Sequence, residues 1–191
     1  TGHSLEDVFA VRAGHPVRAP DVVAWPASEE EVEKILRLAK SKHWCLIPFG
    51  GGTNVSQATA CPSYEVEPRP IVSVDMKKMN RVKWVNEEDG VACIEAVITG
   101  RDRVEEMAWL GFTIGHEPDS IEFSTLGGRI ATKASGMKRS RYGNIEDIVK
   151  GVRGAGSNGV LWHGGDETSV WGRESCGIDL TALIIGSEGC V

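Results

Sequence analysis

A run of three glycines followed by polar side chains is the stretch of this sequence best suited to hold a ligand. Residues 50–52 are all glycine; the apolar run 44–47 precedes them, and Thr53, Asn54 and Ser56 follow. Because glycine lacks a Cβ, it allows a positive φ and close approach of the backbone to another group. A strand that opens into such a loop can direct backbone N–H groups at a phosphate. A tight turn with spare glycines explains the same residues equally well.

Two further segments share this composition. Glycines and hydroxyl side chains recur at 118–135 and at 186–189, and each segment adjoins a predicted regular element. Three such segments favour one long ligand that carries phosphates and crosses between two subdomains. The sequence lacks the Walker ending Gly-Lys-Ser/Thr, and its first predicted strand is not followed by the fingerprint Gly-x-Gly-x-x-Gly. We therefore exclude an ordinary kinase-like nucleotide site and an ordinary NAD site.

Titratable side chains add candidates, each with a simpler explanation beside it. The five histidines suggest no catalytic triad; His116 lies in a predicted functional loop, where a structural hydrogen bond is favoured over catalysis. Glu122 and Glu188 could accept hydrogen bonds from a ribose or a ring N–H, or be ordinary surface carboxylates. A basic segment could meet phosphate, although on an acidic protein such a segment is usually a solvated face. Its cations are Lys133, Lys138, Arg139 and Arg141.

Composition limits the class of protein. Among 191 residues, 41% are hydrophobic and 25% are charged, which is ordinary for a soluble globular protein. The net charge of −6 argues against nucleic acid or an anionic membrane as the main partner. Five cysteines lack Cys-x-x-Cys spacing, so we expect no metal site and reduced thiols in a non-secretory compartment. No apolar run approaches the roughly 18 residues that span a bilayer, and no signal peptide is predicted.

The elements that must position the glycine loop come before it. Residues 22–25 predict a strand, and Ser28 with Glu31 predicts a capping box at the start of a helix ending near His43. The run 44–47 predicts the strand that leads into the loop. The apolar positions of the helix recur at helical spacing: Val32, Ile35, Leu36 and Ala39. This β-α-β opening predicts a parallel strand pair with a right-handed crossover.

The remainder predicts antiparallel strands with helices between them, which together with the opening is an α+β pattern. Strands are predicted at 71–74, 82–85, 91–97, 112–114, 148–152 and 159–162. Helices are predicted within 1–18, from Thr99 to about 110, from Ser124, and at 180–185, with a polar excursion at 164–177. We expect a lead-in segment at 1–18, a first subdomain at 19–75 and a second subdomain at 76–191.

Longer motifs resemble a known family. The glycine loop at 48–56 resembles the first pyrophosphate loop of flavoproteins of the vanillyl-alcohol-oxidase type. The run 115–125, which contains His-Glu-Pro-Asp-Ser, is more specific, as are 133–138 and 142–147. Together with Gly-Ser-Glu-Gly at 186–189, they resemble the alkyldihydroxyacetonephosphate synthases, the ether-lipid enzymes of peroxisomes and glycosomes.

The resemblance implies a PCMH-type FAD-binding domain of two α+β subdomains with FAD between them, and with the C-terminal cap domain absent. FAD is expected to be non-covalent, because Thr53 stands where some relatives attach the cofactor to His or Cys. The residues expected to bind FAD are Pro48, Phe49, Gly50, Gly51, Gly52, Thr53, Asn54, Asp119, Ser120, Ile121, Glu122, Phe123, Ser124, Thr125, Thr132, Lys133, Ala134, Ser135, Glu188, Gly189, Cys190 and Val191.

The family exchanges the acyl group of acyl-dihydroxyacetone phosphate for a fatty alcohol, with flavin and without net redox, so the implied chemistry is a transferase reaction. It further implies a homodimeric full-length enzyme in the peroxisome or glycosome, associated peripherally with the organelle membrane. Catalytic residues are expected beyond Val191, so we expect this fragment alone to be inactive. Two alternatives stay open: an FAD-linked 2-hydroxy-acid oxidoreductase of the same superfamily, and a truncated binding module without flavin.

Three positions depart from the family pattern. Arg129 stands where an aromatic residue usually follows the glycine pair, the segment 154–159 replaces a more apolar turn, and Cys190 replaces a threonine. A charged residue on a helix that must pack needs a partner, so Arg129 is the most conspicuous departure. For the glycine loop, we expect Gly51→Val to abolish flavin binding by blocking close approach to the ligand, with the core left intact.

Overall fold

The computed structural model of the chain describes residues 5–14, 18–100, 108, 111–156, 158–163, 175 and 177–191. Its helices are α1 (Leu5–Arg12), α2 (Glu29–Lys42), α3 (Leu126–Ala131), α4 (Arg139–Tyr142), α5 (Ile145–Ile148) and α6 (Leu180–Ile184). Its strands are β1 (Val22–Ala24), β2 (Cys45–Phe49), β3 (Ile71–Asp75), β4 (Val82–Asn86), β5 (Val91–Ile94), β6 (Val152–Gly156) and β7 (Gly159–His163).

Helix α2 forms as its sequence predicts. The Ser28 hydroxyl accepts a hydrogen bond from the Glu31 N–H, which satisfies one of the free donors of the first turn. The Glu31 carboxylate reaches back to the N–H of Ala27, one residue before the position a capping box would use. The helix ends at His43, which adopts the left-handed conformation with φ 55°. These caps fix where the chain turns into β2.

The first sheet has the strand order β1-β3-β2, and both neighbouring pairs are parallel. The expected direct pairing of β1 with β2 is therefore wrong, because β3 lies between them. The central place suits β3 because Ile71, Val72 and Val74 are all buried, and a central parallel strand must be covered on both faces. Asp21 fixes the start of β3, since its carboxylate accepts a hydrogen bond from the Ile71 N–H at 2.7 Å.

Two antiparallel hairpins follow, β4–β5 and β6–β7. The predicted strand at 112–114 is wrong, since no ladder includes those residues. The prediction of a strand at 148–152 is also wrong: Asn144 and Asp147 form a capping box that starts α5, and β6 begins only at Val152. The strand predicted at 91–97 ends at Ile94. The helix predicted after Thr99 and the excursion at 164–177 lie almost wholly outside the described residues.

A small apolar core lies under the first sheet, where Ile47, Cys61 and Ile71 pack together and Cys45 packs against them. Arg18 fixes the segment that supplies Cys61. Its guanidinium donates to several carbonyl groups and stacks on an aromatic ring. The carbonyls belong to Pro62, Ser63, Glu67 and Arg69, and the ring belongs to Tyr64.

Among the residues that the structure describes, no helix is long and apolar enough to cross a bilayer. The described residues also include no group of three or more His, Cys, Asp and Glu side chains that could hold a metal ion. The domain boundaries after residues 18 and 75 stay predictions.

Candidate cofactor site

Segments far apart in sequence line one large cleft. The glycine loop at 48–56, the turn at 118–125, the α3 region through Ala134 and the C-terminal segment 187–191 all contribute to its walls. The cleft has a volume of about 2020 Å³. Ligand pockets usually measure roughly 300–1,000 Å³, so the space suffices for a dinucleotide-sized ligand.

The glycine loop lines this cleft and has a row of backbone N–H groups without a hydrogen-bond partner among the described residues. Strand β2 ends at Phe49, and Gly52 turns the chain with φ 68°, a conformation that glycine adopts without strain. Within the described part of the chain, none of the N–H groups of residues 50–55 donates a hydrogen bond. Consecutive free N–H groups in such a loop form an anion-binding concavity. The loop is therefore built to take a negatively charged group.

The backbone of the loop packs directly against the turn at 118–125. A Cβ added to Gly51 would lie 1.9 Å from the Phe123 carbonyl oxygen, and one added to Gly50 would lie 2.6 Å from the Thr125 hydroxyl. These glycines thus permit close approach of protein to protein. The expectation that Gly51→Val acts only by blocking the ligand and spares the protein's packing is wrong for this reason.

The C-terminal segment closes the other side of the loop. The Ser56 hydroxyl donates to the Glu188 carboxylate at 2.7 Å, joining residues 132 positions apart. A Cβ on Gly189 would lie 3.1 Å from the Pro48 ring. The segment is also tied to α3, because the Glu188 N–H donates to the Ala131 carbonyl. The three glycine-rich segments identified in the sequence (48–56, 118–135 and 186–189) therefore contact one another in the fold.

Arg129 holds the turn from within. Its side chain is buried, with only 4% of the residue exposed. The guanidinium donates to the Ser124 hydroxyl and carbonyl at 3.1 and 3.2 Å, to the His116 carbonyl at 3.2 Å and to the Ile121 carbonyl at 3.4 Å. Burial lowers the pKa of Arg129, but a guanidinium stays protonated in proteins. The charge on this helix thus has partners, and they are oxygen atoms of the turn.

His116 makes a structural hydrogen bond beside Arg129. Its Nε2 lies 3.0 Å from the Ala134 carbonyl, which only accepts, so Nε2 carries the proton. Burial is the main cause that lowers the pKa of His116; the Arg129 charge lowers it further, while the Ala134 carbonyl and Glu146 oppose the shift. This shift favours the neutral imidazole, and the buried Nδ1 of His116 has no hydrogen-bond partner among the residues that the structure describes. The hydrogen bond from His116 Nε2 to the Ala134 carbonyl joins the turn region to the segment after α3.

The structure brings many of the residues expected to bind FAD to the walls of the cleft. They are Pro48, Phe49, Gly50, Gly51, Gly52, Thr53, Asn54, Ser120, Ser124, Thr125, Thr132, Ala134, Glu188, Gly189, Cys190 and Val191. Others lie in the same segments but outside the walls: Asp119, Ile121, Glu122, Phe123, Lys133 and Ser135. Phe123 is 62% exposed, and the Ser135 hydroxyl donates to the Asn144 side chain. Contact of each with the cofactor stays a prediction.

Sequence reasoning missed two features of the site. It flagged Arg129 as a misfit, whereas the burial of Ser124 and Thr125 around it shows a polar interior that suits a charged side chain. It also missed that β4 and β5 contribute Trp84 and Val91 to the cleft. No local signal marks either feature, because both depend on which distant segments fold together.

The residues present fit an FAD cofactor. The free N–H groups of residues 50–55 match the acceptor oxygens of a pyrophosphate. Asn54 has a buried side-chain oxygen, Oδ1, that accepts no hydrogen bond from any described residue. Its Nδ2 donates to the Thr59 hydroxyl. A buried acceptor of this kind suits a hydroxyl or amino group of a ligand, since an unsatisfied polar atom is costly. The buried charge of Arg129 also favours an anionic ligand.

Comparison with known proteins agrees with this arrangement. Residues 20–165 match the family described as "FAD binding domain", so the chain belongs to that family. The chain is similar to alkyldihydroxyacetonephosphate synthase of Caenorhabditis elegans, with 42% identity over 98% of this chain and 30% of the relative. The synthase of Dictyostelium discoideum is 40% identical over the same shares. The chain thus spans about a third of the length of these relatives.

A solved structure and a more distant relative extend the comparison. A structure of alkyldihydroxyacetonephosphate synthase, in the P212121 crystal form, matches with a TM-score of 0.87 and 40% identity over 98% of this chain and 32% of that chain. The two therefore share one fold over the matched region. The mitochondrial D-lactate dehydrogenase (cytochrome) of Arabidopsis thaliana is 35% identical over 91% of this chain and 29% of its own length.

Proposed function

We propose that this chain is the FAD-binding part of an alkyldihydroxyacetonephosphate synthase. The enzyme would replace the acyl group of acyl-dihydroxyacetone phosphate with a fatty alcohol and release the fatty acid. The observation that carries the proposal is the cleft in which the glycine loop, the turn and the C-terminal segment meet. It is supported by 42% identity to a synthase across 98% of the chain.

The chain's own residues would bind and orient the cofactor. The N–H groups of residues 50–55 would donate to the pyrophosphate oxygens, and Asn54 Oδ1 would accept from a hydroxyl or amino group. The turn at 118–125, the segment after α3 and residues 188–191 would exclude water from the flavin side. The bound flavin would supply the chemistry of the exchange. We also propose that FAD is bound non-covalently, because Thr53 stands at the position where some relatives attach the cofactor to a histidine or cysteine.

FAD binding is the first test. The protein is expected to copurify with FAD and therefore to show a flavin absorbance spectrum. It should also unfold at a higher temperature when FAD is added, because a ligand that binds the folded state stabilises it. A colourless protein that FAD does not protect from heat would exclude the proposal and favour a flavin-free binding module. The reaction is then tested on the full-length enzyme by incorporation of labelled fatty alcohol into alkyl-dihydroxyacetone phosphate.

An FAD-linked 2-hydroxy-acid oxidoreductase is the second candidate. The 35% identity to a D-lactate dehydrogenase favours it, since both reactions can use the same cofactor fold. Bleaching of the flavin by a 2-hydroxy acid, without exchange of fatty alcohol, would support this candidate. Exchange without bleaching would support the synthase.

Cellular context belongs to the proposal as well. Residence in the peroxisome or glycosome, a homodimeric enzyme and peripheral association with the organelle membrane rest on the resemblance to the synthases. Fluorescence microscopy of the tagged full-length enzyme against organelle markers tests the first, and light scattering of the purified enzyme tests the second. Recovery of the enzyme in a salt-washed membrane fraction tests the third.

A further inference from the structure

We propose that Arg129 is a positioning residue for the cofactor, which holds the turn and the two residues before it (116–125) in the binding arrangement before FAD arrives. This inference rests on the proposed FAD binding and adds a named residue to it. The observation behind it is the set of hydrogen bonds from one buried guanidinium to His116, Ile121 and Ser124. Arg129 itself belongs to α3, the next element of the chain.

Arg129 makes four of the hydrogen bonds that fix the turn to the rest of the fold, while the Gly100 N–H donates to the Ile121 carbonyl at 3.2 Å and the Met137 N–H to the Glu117 carbonyl at 2.8 Å. Hydrogen bonds inside the turn join neighbours only, such as Ser124 N–H to the Ser120 carbonyl at 2.7 Å. They shape the turn but do not fix it against the rest of the fold. The guanidinium joins its two ends, because it reaches the carbonyl of His116 and both oxygens of Ser124. Charge-assisted hydrogen bonds of this kind are stronger than neutral ones.

The same turn forms the surface against which the glycine loop packs. Gly51 approaches the Phe123 carbonyl so closely that no Cβ fits between them. A shift of the turn therefore changes the space next to the free N–H groups of residues 50–55. Arg129 also approaches Gly100, where an added Cβ would lie 3.0 Å from its Nη2. Through these contacts the guanidinium fixes the turn against which the glycine loop packs.

Arg18 provides a matched control. It too is an arginine with a buried side chain, 5% exposed, whose guanidinium donates to carbonyls of a single segment. That segment, 61–69, carries the core residue Cys61, and Arg18 does not line the cleft. Arg18→Met and Arg129→Met remove the same chemical group from two buried anchors. Both are expected to lower the free energy of unfolding.

The dissociation constant for FAD separates the two anchors. When a binding-competent arrangement is populated a tenth of the time, the apparent dissociation constant rises about tenfold. Arg129→Met is therefore expected to weaken FAD binding by about tenfold or more in flavin-fluorescence titrations. Arg18→Met should stay within about twofold of the parent protein. Arg129→Lys should fall between them, because it keeps the charge but reaches fewer of the oxygens.

Equal dissociation constants for Arg129→Met and Arg18→Met would overturn the inference while leaving FAD binding by the protein intact. Failure of the parent protein to bind FAD would instead overturn the proposed function, and this inference with it. If Arg129→Met does not fold, hydrogen exchange of Arg129→Lys and of the parent protein, both without FAD, decides the matter. The amides of Ile121, Phe123 and Ser124 should exchange faster in Arg129→Lys, because fewer hydrogen bonds then hold the turn. Equal protection in the two proteins would show that the hydrogen bonds inside the turn, and not Arg129, order it.

Discussion

Gly51→Ala tests whether the packing of the glycine loop against the turn controls cofactor binding. The backbone of Gly51 lies outside the positive-φ region, so the only obstacle to alanine is space. The added Cβ would lie 1.9 Å from the Phe123 carbonyl oxygen and 2.9 Å from its carbon. Real Cβ contacts are essentially never shorter than 3.0 Å, so loop and turn must separate by about 1 Å.

The size of the effect follows from this separation. Forcing extra volume into a packed interior typically costs about 1–3 kcal/mol. If the strain falls on the arrangement that binds FAD, the dissociation constant should rise by about 5- to 150-fold. The part of this cost that the cofactor-free protein does not relieve should appear instead as a lower free energy of unfolding without FAD, because the clash is between two protein segments. Fluorescence titration with FAD and urea denaturation of the cofactor-free protein measure the two quantities.

Gly156→Ala is the matched control for this experiment. An added Cβ there meets nothing within 4 Å, and the backbone conformation is open to alanine. Its stability should therefore match that of the parent protein; because Gly156 itself lines the cleft, this variant is a control for stability and not for affinity. An unchanged FAD affinity and unchanged stability in Gly51→Ala would refute the reasoning, since the two segments would then not be in contact. A stability loss with unchanged affinity would refute its link to the cofactor.

Three further results are expected. Glu95→Gln should lower the free energy of unfolding at pH 7, and urea titrations should show a smaller deficit below about pH 4. Burial alone would raise the pKa of Glu95, but its hydrogen bonds to Arg81 outweigh burial and lower the pKa. The stabilisation by Glu95 is therefore present above the ordinary glutamate pKa and is lost in acid. Ile71→Ala should cost about 2–5 kcal/mol in the same assay, because Ile71 is fully buried in β3 and a cavity would remain; a loss below 1 kcal/mol would contradict the core described. Acid precipitation should leave the flavin in the supernatant, whereas yellow, flavin-bearing pellets would disprove non-covalent attachment.

Local signals in the sequence predicted the elements whose formation depends only on residues close in the chain. Helix α2 formed between Ser28 and His43 because the capping residue, the apolar spacing and the acidic first turn all act within a few residues. The strands predicted at 82–85 and from 91 onward pair as the hairpin β4–β5 for the same reason. The glycine loop was recognised as a candidate anion site from its composition alone. Each of these features depends on neighbours in the chain.

Features that depend on distant neighbours were decided by the tertiary structure. The sequence could not place β3 between β1 and β2, because strand order depends on which strand buries both faces. It could not show that Gly51 faces the Phe123 carbonyl, more than 70 positions away. It read Arg129 as an unpartnered charge, since the carbonyls that accept its hydrogen bonds become neighbours only when the turn folds over α3. Residue types therefore predicted which segments could bind a phosphate-bearing ligand, the family resemblance implied that this ligand is FAD, and long-range packing decided which residues of these segments line the cleft.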